Sequence, residues 1–212
     1  MPNSMQCRLS RESAFPGLLF RESPSSALIE RYWDGRQAGP EMATTIHAAW
    51  NSEHLYFQFS APYTELYVNE DWSNDRSTYG LWERDVVEVF LRPDISSVYF
   101  EFEVSPLAQW LDVLIREPRK DVDFSWASGM KVQCELDSAK RQWISRLTVP
   151  LAPMRNALKT DLVLKAGVIW RANLFRVSGA EPARHYLAWQ PTFTPAPDFH
   201  VPSAFGNLIF VE

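Results

Sequence analysis

Acidic side chains are the residues of this sequence with the clearest potential for chemistry. Glu101 and Glu103 alternate along one predicted strand, so their side chains lie on one face, about 7 Å apart. A glycoside hydrolase could use two carboxylates at that separation if both faced an open cleft. A solvent-exposed polar face is the simpler interpretation, and we therefore expect both residues outside the core.

Glu88 differs from these two because apolar residues flank it on both faces of its predicted strand, residues 85–92. A carboxylate in such surroundings needs a partner. One interpretation is an internal ion pair or hydrogen-bond network with Arg171 or Arg176. The other is a carboxylate at the floor of a binding site, where it accepts hydrogen bonds from ligand hydroxyls. The sequence leaves both open.

Several common kinds of active site have no support in the sequence. It contains no HExxH zinc motif, GxSxG elbow, Walker loop, GxGxxG loop or EF-hand loop. The four histidines are isolated from one another: His47, His54, His185 and His200. Cys7 and Cys134 form neither a CxxC pair nor a disulfide framework, and we expect both to be reduced thiols.

Charge and hydropathy also exclude some partners. The chain of 212 residues has 21 basic and 26 acidic residues, and the basic ones are scattered rather than clustered as nucleic-acid binding requires. No apolar run approaches the roughly 18 to 20 residues of a membrane-spanning helix. Residues 1–26 mix Arg, Glu, Pro and Ser and do not resemble a secretory signal peptide. We therefore expect no nucleic acid and no membrane among the partners.

The elements that must position these residues are strands, because the apolar residues recur with a period of two. The predicted strands, about nine or ten, include residues 44–51, 54–61, 85–92, 98–105, 110–116, 130–137, 142–149, 167–177 and 207–211. Short turns at 51–53 and 137–140 predict hairpins, and only Leu151–Leu158 has a helical pattern. The sequence predicts an all-β fold, an antiparallel β-sandwich of the jelly-roll type with Val98, Phe100, Phe102 and Val104 inside.

Three long irregular stretches interrupt these strands, at residues 62–82, 117–129 and 178–206. Loops of this length in a compact domain are usually functional or mobile, so we expect the binding surface there. No linker or repeat divides the chain. We predict an N-terminal extension over residues 1–28 and a single domain over residues 29–212.

Tryptophan is abundant, with nine residues, and two of them suggest a use for the loops. Trp82 and Trp189 lie among polar and Pro-rich residues, where a large apolar ring calls for an explanation. Sugars present CH-rich faces that stack on aromatic rings, and carboxylates can read their hydroxyls. Trp72 and Trp126 also fall in loops, as reserve candidates, and the remaining five fit core packing.

Four motifs, in order along the chain, give the sequence a family resemblance. Residues 82–91, 99–107, 170–176 and the ending formed by 188–189 and 199–206 resemble carbohydrate-binding module family 9, with coverage from about residue 29 to residue 211. The resemblance implies a β-sandwich of the kind shared with DOMON-type domains and a sugar-binding surface slot. It also implies bound calcium in many members.

The resemblance further implies which residues contact the sugar. In the family, two tryptophans sandwich a pyranose ring, and a carboxylate follows the first by six residues; Trp82, Trp189 and Glu88 match this pattern. Where the family has an amide three residues before the second tryptophan, this sequence has Tyr186. The candidate sugar-contacting residues are Trp82, Glu88, Asn173, Arg176, Tyr186 and Trp189. No residue is assigned as catalytic or as a metal ligand.

The main hypothesis is therefore a non-catalytic domain that binds a mono-, oligo- or polysaccharide. One alternative is a small glycoside hydrolase that uses Glu88 with Glu101 or Glu103. Another is a β-sandwich adaptor that binds a protein or a hydrophobic ligand through the same loops. The compartment stays open, because the chain shows no signal peptide whereas such families commonly act outside the cytoplasm.

Overall fold

The computed structural model describes residues 3–12 and 14–212. Positions 1, 2 and 13 of the predicted N-terminal extension lie outside the described residues. The strands are β1 (Ser4–Leu9), β2 (Ala27–Ile29), β3 (Arg31–Tyr32), β4 (Thr44–Trp50), β5 (His54–Pro62), β6 (Val86–Pro93), β7 (Tyr99–Val104), β8 (Trp110–Glu117), β9 (Asp121–Asp123), β10 (Lys131–Asp137), β11 (Gln142–Pro150), β12 (Ile169–Ser178), β13 (His185–Ala188) and β14 (Gly206–Val211).

All 14 strands in the described part of the chain join one curled sheet. Its main order is β10-β11-β5-β4-β1-β14-β12-β6-β7-β8-β9, with β2 paired to β4, and β13 paired to β12 and β3. The main core consists of apolar side chains from both halves of this order, such as Phe57 from β5 and Phe102 from β7. The predicted all-β sandwich class is confirmed. The strand count is higher than predicted, because β2, β3, β9 and β13 carry too few residues to show a period and β1 lies in the segment that was expected to be an extension.

Strand β1 comes from the segment predicted as an N-terminal extension. It pairs in parallel with both β14 and β4, so the sheet is mixed rather than wholly antiparallel. Its alternate residues Met5 and Cys7 are buried in the main core. This N-terminal segment therefore joins the two halves of the sheet, because β1 lies between β4 and β14.

Helical structure is scarce, as the sequence predicts. The helix α2 (Leu151–Leu158) follows Pro150 and ends before Lys159, whose φ of 53° is left-handed. A second helix, α1 (Gly17–Glu22), was not predicted; with six residues it is too short for a helical period. A 3₁₀ turn at Leu81–Glu83 leads into β6. No helix in the described ranges has the length and apolar character needed to cross a membrane.

Strand β7 is buried on both faces, which corrects one sequence prediction. Phe100, Phe102 and Val104 lie in the main core as expected, and Val98 packs against it just before the strand. Glu101 and Glu103, expected outside, are only 6% and 0% exposed. The face that carries them belongs to a second apolar cluster, which is built from side chains of β6, β7, β8, β12 and β13 and is covered by loop residues such as Trp72, Phe199 and Phe205 from distant parts of the chain. Alternation within one strand cannot reveal such a cover.

Candidate functional site

A pocket of about 540 Å³ opens over this second face of β6, β7 and β12, called here the site face. The volume is within the range of small-molecule sites. All three long loops contribute to it. The pocket is lined by Tyr79, Trp82, Glu88, Phe90, Glu101, Arg119, Val122, Phe124, Val177, Arg184, Tyr186, Pro197, Asp198, Phe199 and His200.

The floor of the pocket is acidic. Glu88 on β6 lies directly across from Glu103 on β7, and Glu101 follows on the same face two residues earlier. Each of the three offers a carboxylate oxygen within 4.8 Å of the others, and all three are buried. Glu88 and Glu101 line the pocket, whereas Glu103 does not. The pocket therefore has two acidic groups in its lining and a third beside them on the same face of the sheet.

Burial and mutual repulsion change the acidity of this floor. Burial raises the pKa of Glu88 well above its ordinary value, and the neighbouring Glu101 adds to the effect. Burial also raises the pKa of Glu101, although nearby His200 opposes the rise. The pKa of Glu103 is raised well above normal by burial and then by the charges of the other two residues. Burial and mutual repulsion therefore disfavour the ionised form of all three carboxyl groups.

One wall of the pocket is an aromatic cluster. Trp82, on the 3₁₀ turn, meets Tyr79 edge-on with ring centroids 5.0 Å apart, and Tyr79 meets Phe124 at the same separation. Tyr79 and Phe124 are 68% and 41% exposed. Single loop aromatics at such exposure are ordinary, but three in mutual contact beside a pocket form a platform suited to stacking.

The facing wall combines aromatic rings with a guanidinium. Phe199 stacks on Phe175 of β12, with centroids 4.0 Å apart, and contacts Tyr186 edge-on at 6.2 Å. The guanidinium of Arg184 lies 5.5 Å from the centre of the Tyr186 ring. It also donates a hydrogen bond to the backbone carbonyl of Trp82. Arg184 thereby connects the two walls.

His200 supplies the polar end of the floor. Its Nδ1 lies 2.8 Å from the hydroxyl of Tyr99, and its Nε2 lies 3.9 Å from a carboxylate oxygen of Glu101. Burial raises the pKa of Tyr99, and the charge of Glu101 adds to this rise. At the rim, Arg119 forms an ion pair with Asp198. Positively and negatively charged groups of the pocket therefore lie next to one another.

Three of the six sequence-predicted site residues meet in this pocket: Trp82, Glu88 and Tyr186. Trp189 does not. Trp189 is 6% exposed and packs in the main core, on the other side of the sheet. Its ring lies so close to Gly206 that a Cβ atom added to this glycine would be 2.6 Å from the ring. Trp82 and Trp189 therefore do not form opposite walls of one slot. The residue before it, Ala188, faces the site face, so alternation turns Trp189 away.

Asn173 and Arg176 are also placed outside the pocket. Asn173 is buried, and its side chain bonds the backbone of Leu174 and Gln190. Arg176 pairs with Val87 in the sheet register and so points to the face opposite Glu88, which excludes the ion pair considered between them.

Arg176 instead has a structural role within the fold. Its guanidinium donates to the carbonyls of Met42 and Pro62 and to the hydroxyl of Thr44. Burial lowers its pKa to about 10, against the smaller opposing effect of Asp85. The other arginine considered for Glu88, Arg171, bonds Asn207 and the carbonyl of Phe205.

Sequence reasoning missed most of the loop residues in the pocket. These are Tyr79, Arg119, Val122, Phe124, Arg184, Pro197, Asp198, Phe199 and His200. Each lies in one of the three irregular stretches that were expected to carry the binding surface, although Val122 forms part of the short strand β9 within the second stretch. The stretches were visible in the sequence, but which of their side chains converge depends on how the loops fold over the sheet.

The acidic floor does not fit calcium, the ion that the family resemblance implies. Calcium takes six to eight oxygen ligands, among them backbone carbonyls of a loop. The three glutamates lie in the middle of paired strands β6 and β7, where the backbone carbonyls serve the sheet. Among the described residues it is the one group of three or more His, Cys, Asp or Glu side chains this close together. We do not identify these residues as metal ligands.

Comparison with known families decides the classification. The profile described as Carbohydrate-binding family 9 matches residues 32–210, most of the chain. This chain belongs to carbohydrate-binding family 9. Members of such families are binding modules rather than catalysts. A search of curated proteins gave no match.

Solved structures agree with this family 9 fold. A protein from Bacteroides uniformis ATCC 8492 is similar over 99% of this chain and 100% of its own, with a TM-score of 0.76 and 17% identity. A family 9 module from Caldicellulosiruptor kristjanssonii in complex with glucose has a TM-score of 0.64 and 11% identity, over 98% of this chain and 95% of its own. The structure of its complex with cellotriose has a TM-score of 0.65 and 11% identity, over 99% of this chain and 94% of its own. At these identities the likeness concerns the fold.

Proposed function

We propose that the pocket on the site face binds a sugar ring without chemical change, with Trp82 as the stacking platform and Glu88 and Glu101 as acceptors for hydroxyl groups. The observation that carries this proposal is the juxtaposition of an aromatic wall with an acidic floor in one pocket. Stacking serves the apolar face of a pyranose, and carboxyl groups serve its hydroxyls.

The facing wall replaces the second tryptophan expected from the family pattern. Tyr186 and Phe199 occupy that side of the pocket, and Arg184 adds hydrogen-bond donors between them and Trp82. Glucose and cellotriose, which are bound by the Caldicellulosiruptor module, are the first ligands to test.

Two alternatives receive less support from this geometry. A glycoside hydrolase needs two carboxyl groups that flank the scissile bond. Glu88, Glu101 and Glu103 instead lie side by side on one face of one sheet, and Glu103 does not reach the pocket. An adaptor for apolar partners would need a patch without converging polar groups, whereas Glu88, Glu101 and Arg184 converge here.

The test is calorimetric titration of glucose and cellotriose into the parent protein and into Trp82→Ala. Loss of the stacking platform should weaken binding by about 1 to 3 kcal/mol, taking base–aromatic stacking as a guide. That range is roughly 5-fold to 150-fold in Kd. Trp126→Ala is the matched control, because Trp126 is also half-buried but packs on Phe100 away from the pocket.

Trp189→Phe distinguishes this pocket from the two-tryptophan slot. The variant should bind sugar as the parent does and lose stability, since Trp189 belongs to the main core. Equal Kd values for the parent and Trp82→Ala would refute the platform. Weaker binding by Trp189→Phe at unchanged stability would restore the two-tryptophan slot. Absence of binding to any glycan in an array would favour the adaptor.

A further inference from the structure

Glu103 has an unusual position for a residue so close to the proposed site. It is fully buried, lies across from Glu88 in the sheet and does not line the pocket. On its other side, β8 places the apolar Leu111 opposite it. Among the described residues, no N–H or O–H group of another side chain or of the backbone donates to either carboxylate oxygen, and the one hydrogen-bonding neighbour is the carboxyl group of Glu101. A buried carboxylate without a donor is costly, so some feature of this arrangement must balance it.

The nearest polar neighbours of Glu103 are themselves carboxyl groups. Two ionised carboxylates only accept hydrogen bonds and repel one another, whereas a protonated carboxyl can donate to an ionised one. Glu101 has His200 3.9 Å away, and Glu88 is within the electrostatic influence of Arg184. Glu103 has neither, so a proton is retained most readily there.

We propose that Glu103 keeps a proton at neutral pH and, by donating it in a hydrogen bond to Glu101 or Glu88, holds these two pocket carboxyls in position for a sugar. The proposal deepens and rests on the proposed sugar-binding function. In it Glu103 is a positioning residue that acts through its neighbours and does not touch the ligand.

The surrounding charges support this assignment. The pKa of Glu103 is raised well above its ordinary value by burial and then by Glu88 and Glu101. The pKa of Glu101 rises less, because His200 opposes the effect of burial. The titratable and charged groups around the three glutamates are Tyr99 on β7, Tyr186 on β13, Tyr79 in the first loop, Arg119 in the second, and Arg184, Asp198 and His200 in the third.

Loss of this proton should disturb the pocket. Above the pKa of Glu103, a further negative charge would appear in a buried space already holding at least one carboxylate. Repulsion would then separate the carboxyls or draw in water, and the two carboxyls that line the pocket would no longer be fixed. Sugar binding is therefore expected to weaken as the pH rises through that pKa.

The first experiment needs no ligand. Protein labelled with ¹³C at the glutamate carboxyl is titrated by NMR from about pH 4 to about pH 10, a range that spans the ordinary glutamate pKa and extends far above it. The parent should retain at least one protonated glutamate at neutral pH, and Glu103→Gln should lack that resonance. Glu53→Gln, which changes an exposed turn residue in the same way, should keep it.

The second experiment measures the Kd for cellotriose over the same pH range. For the parent and Glu53→Gln, Kd should rise by about tenfold per pH unit once the pH exceeds the pKa of Glu103. Glu103→Gln retains a donor and has no proton to lose, so its Kd should change by less than about twofold over that interval. His200, Arg184 and Asp198 are common to all three proteins and do not contribute to the difference.

Several results would overturn the proposal. The proposal is wrong if every glutamate of the parent titrates in the ordinary acidic range, and this result does not require Glu103→Gln to fold. Identical pH profiles of Kd for the parent and Glu103→Gln would also overturn it. Stabilisation of the parent but not of Glu103→Gln by calcium would indicate a cation in place of the proton. If no sugar binds at any pH, the proposed function fails, and with it the role in binding, while the NMR titration still decides where the proton lies.

Discussion

At the scale of single residues, the acidic floor shows how burial changes what a carboxyl group can do. Glu88 is 2% exposed, yet no described cation forms a salt bridge with it. The arginine that would have paired with it, Arg176, is on the other face of the sheet. The neighbours of Glu88 thus include groups of like charge. We therefore expect Glu88 to contact a ligand rather than to stabilise the fold.

Replacement of Glu88 tests this interpretation through the pH dependence of stability. The pKa of Glu88 is higher in the folded state than in the unfolded state. The contribution of Glu88 to the free energy of unfolding is therefore fully present below the unfolded-state pKa and is lost as the pH rises through the folded-state pKa. Glu88→Gln removes that loss. Relative to the parent, the variant should gain on the order of 1 kcal/mol in the free energy of unfolding at neutral pH and little at about pH 4.

The measurement is urea denaturation at several pH values, with Glu53→Gln as control, since that exposed carboxyl should leave the profile unchanged. A loss of about 3 to 5 kcal/mol in Glu88→Gln at all pH values would instead show that Glu88 balances a buried cation.

At the scale of elements, the site depends on strands that supply a rigid floor and loops that supply the walls. Strands β6, β7 and β12 pair in continuous register, which fixes Glu88 against Glu103 and Phe175. The walls come from loops far apart in sequence, whose side chains are held by contacts such as that of Arg184 with the Trp82 carbonyl. Rigid strands below and anchored loops above are a common basis for binding sites.

Strand β1 is the element whose importance is least expected from the sequence. Met5 is 1% exposed in the main core, and β1 joins β4 to β14. Met5→Ala should lower the free energy of unfolding by about 2 to 5 kcal/mol, as is usual for a buried Met. Ser4→Ala, at the exposed neighbouring position, should change it by no more than about 0.5 kcal/mol. Chemical denaturation of both variants is the measurement, and a similar small effect of both would show that β1 does not belong to the cooperative fold.

At the scale of the whole molecule, charge separates this module from nucleic-acid-binding proteins. The formal net charge is −5, and the arginines of the pocket, Arg119 and Arg184, are engaged by Asp198 and by backbone carbonyls. Nothing in this distribution favours a polyanion. A neutral sugar bound by stacking and hydrogen bonds is consistent with it.

The same argument predicts a weak dependence of binding on salt. A neutral ligand releases no counterions, so the Kd for cellotriose should change by less than about twofold between about 50 mM and about 500 mM salt. Calorimetric titration at both concentrations measures this, with the Trp82→Ala variant showing the same insensitivity at weaker affinity. A steep fall of affinity with salt would point to a charged ligand.

Much of the fold could be read from the sequence because its signals are local. Alternation predicts the long strands, the turn at Asn51 joins β4 to β5, and the helix after Pro150 ends where its pattern ends. The family motifs are equally local runs, and two of the residues that they single out, Trp82 and Glu88, line one pocket. Each of these conclusions depends on residues that are close together along the chain.

The tertiary structure alone decided which faces are covered and which loop residues meet. Alternation puts Glu101 and Phe102 on opposite faces of β7 but does not say that both faces are buried, one in the main core and the other beneath the loops of the site face. The orientation of Trp189 depends on the register of β13 against β12, where Ala188 takes the site face. Convergence of the loops and register between strands arise from contacts between residues far apart in sequence, and no periodicity within a single segment records them.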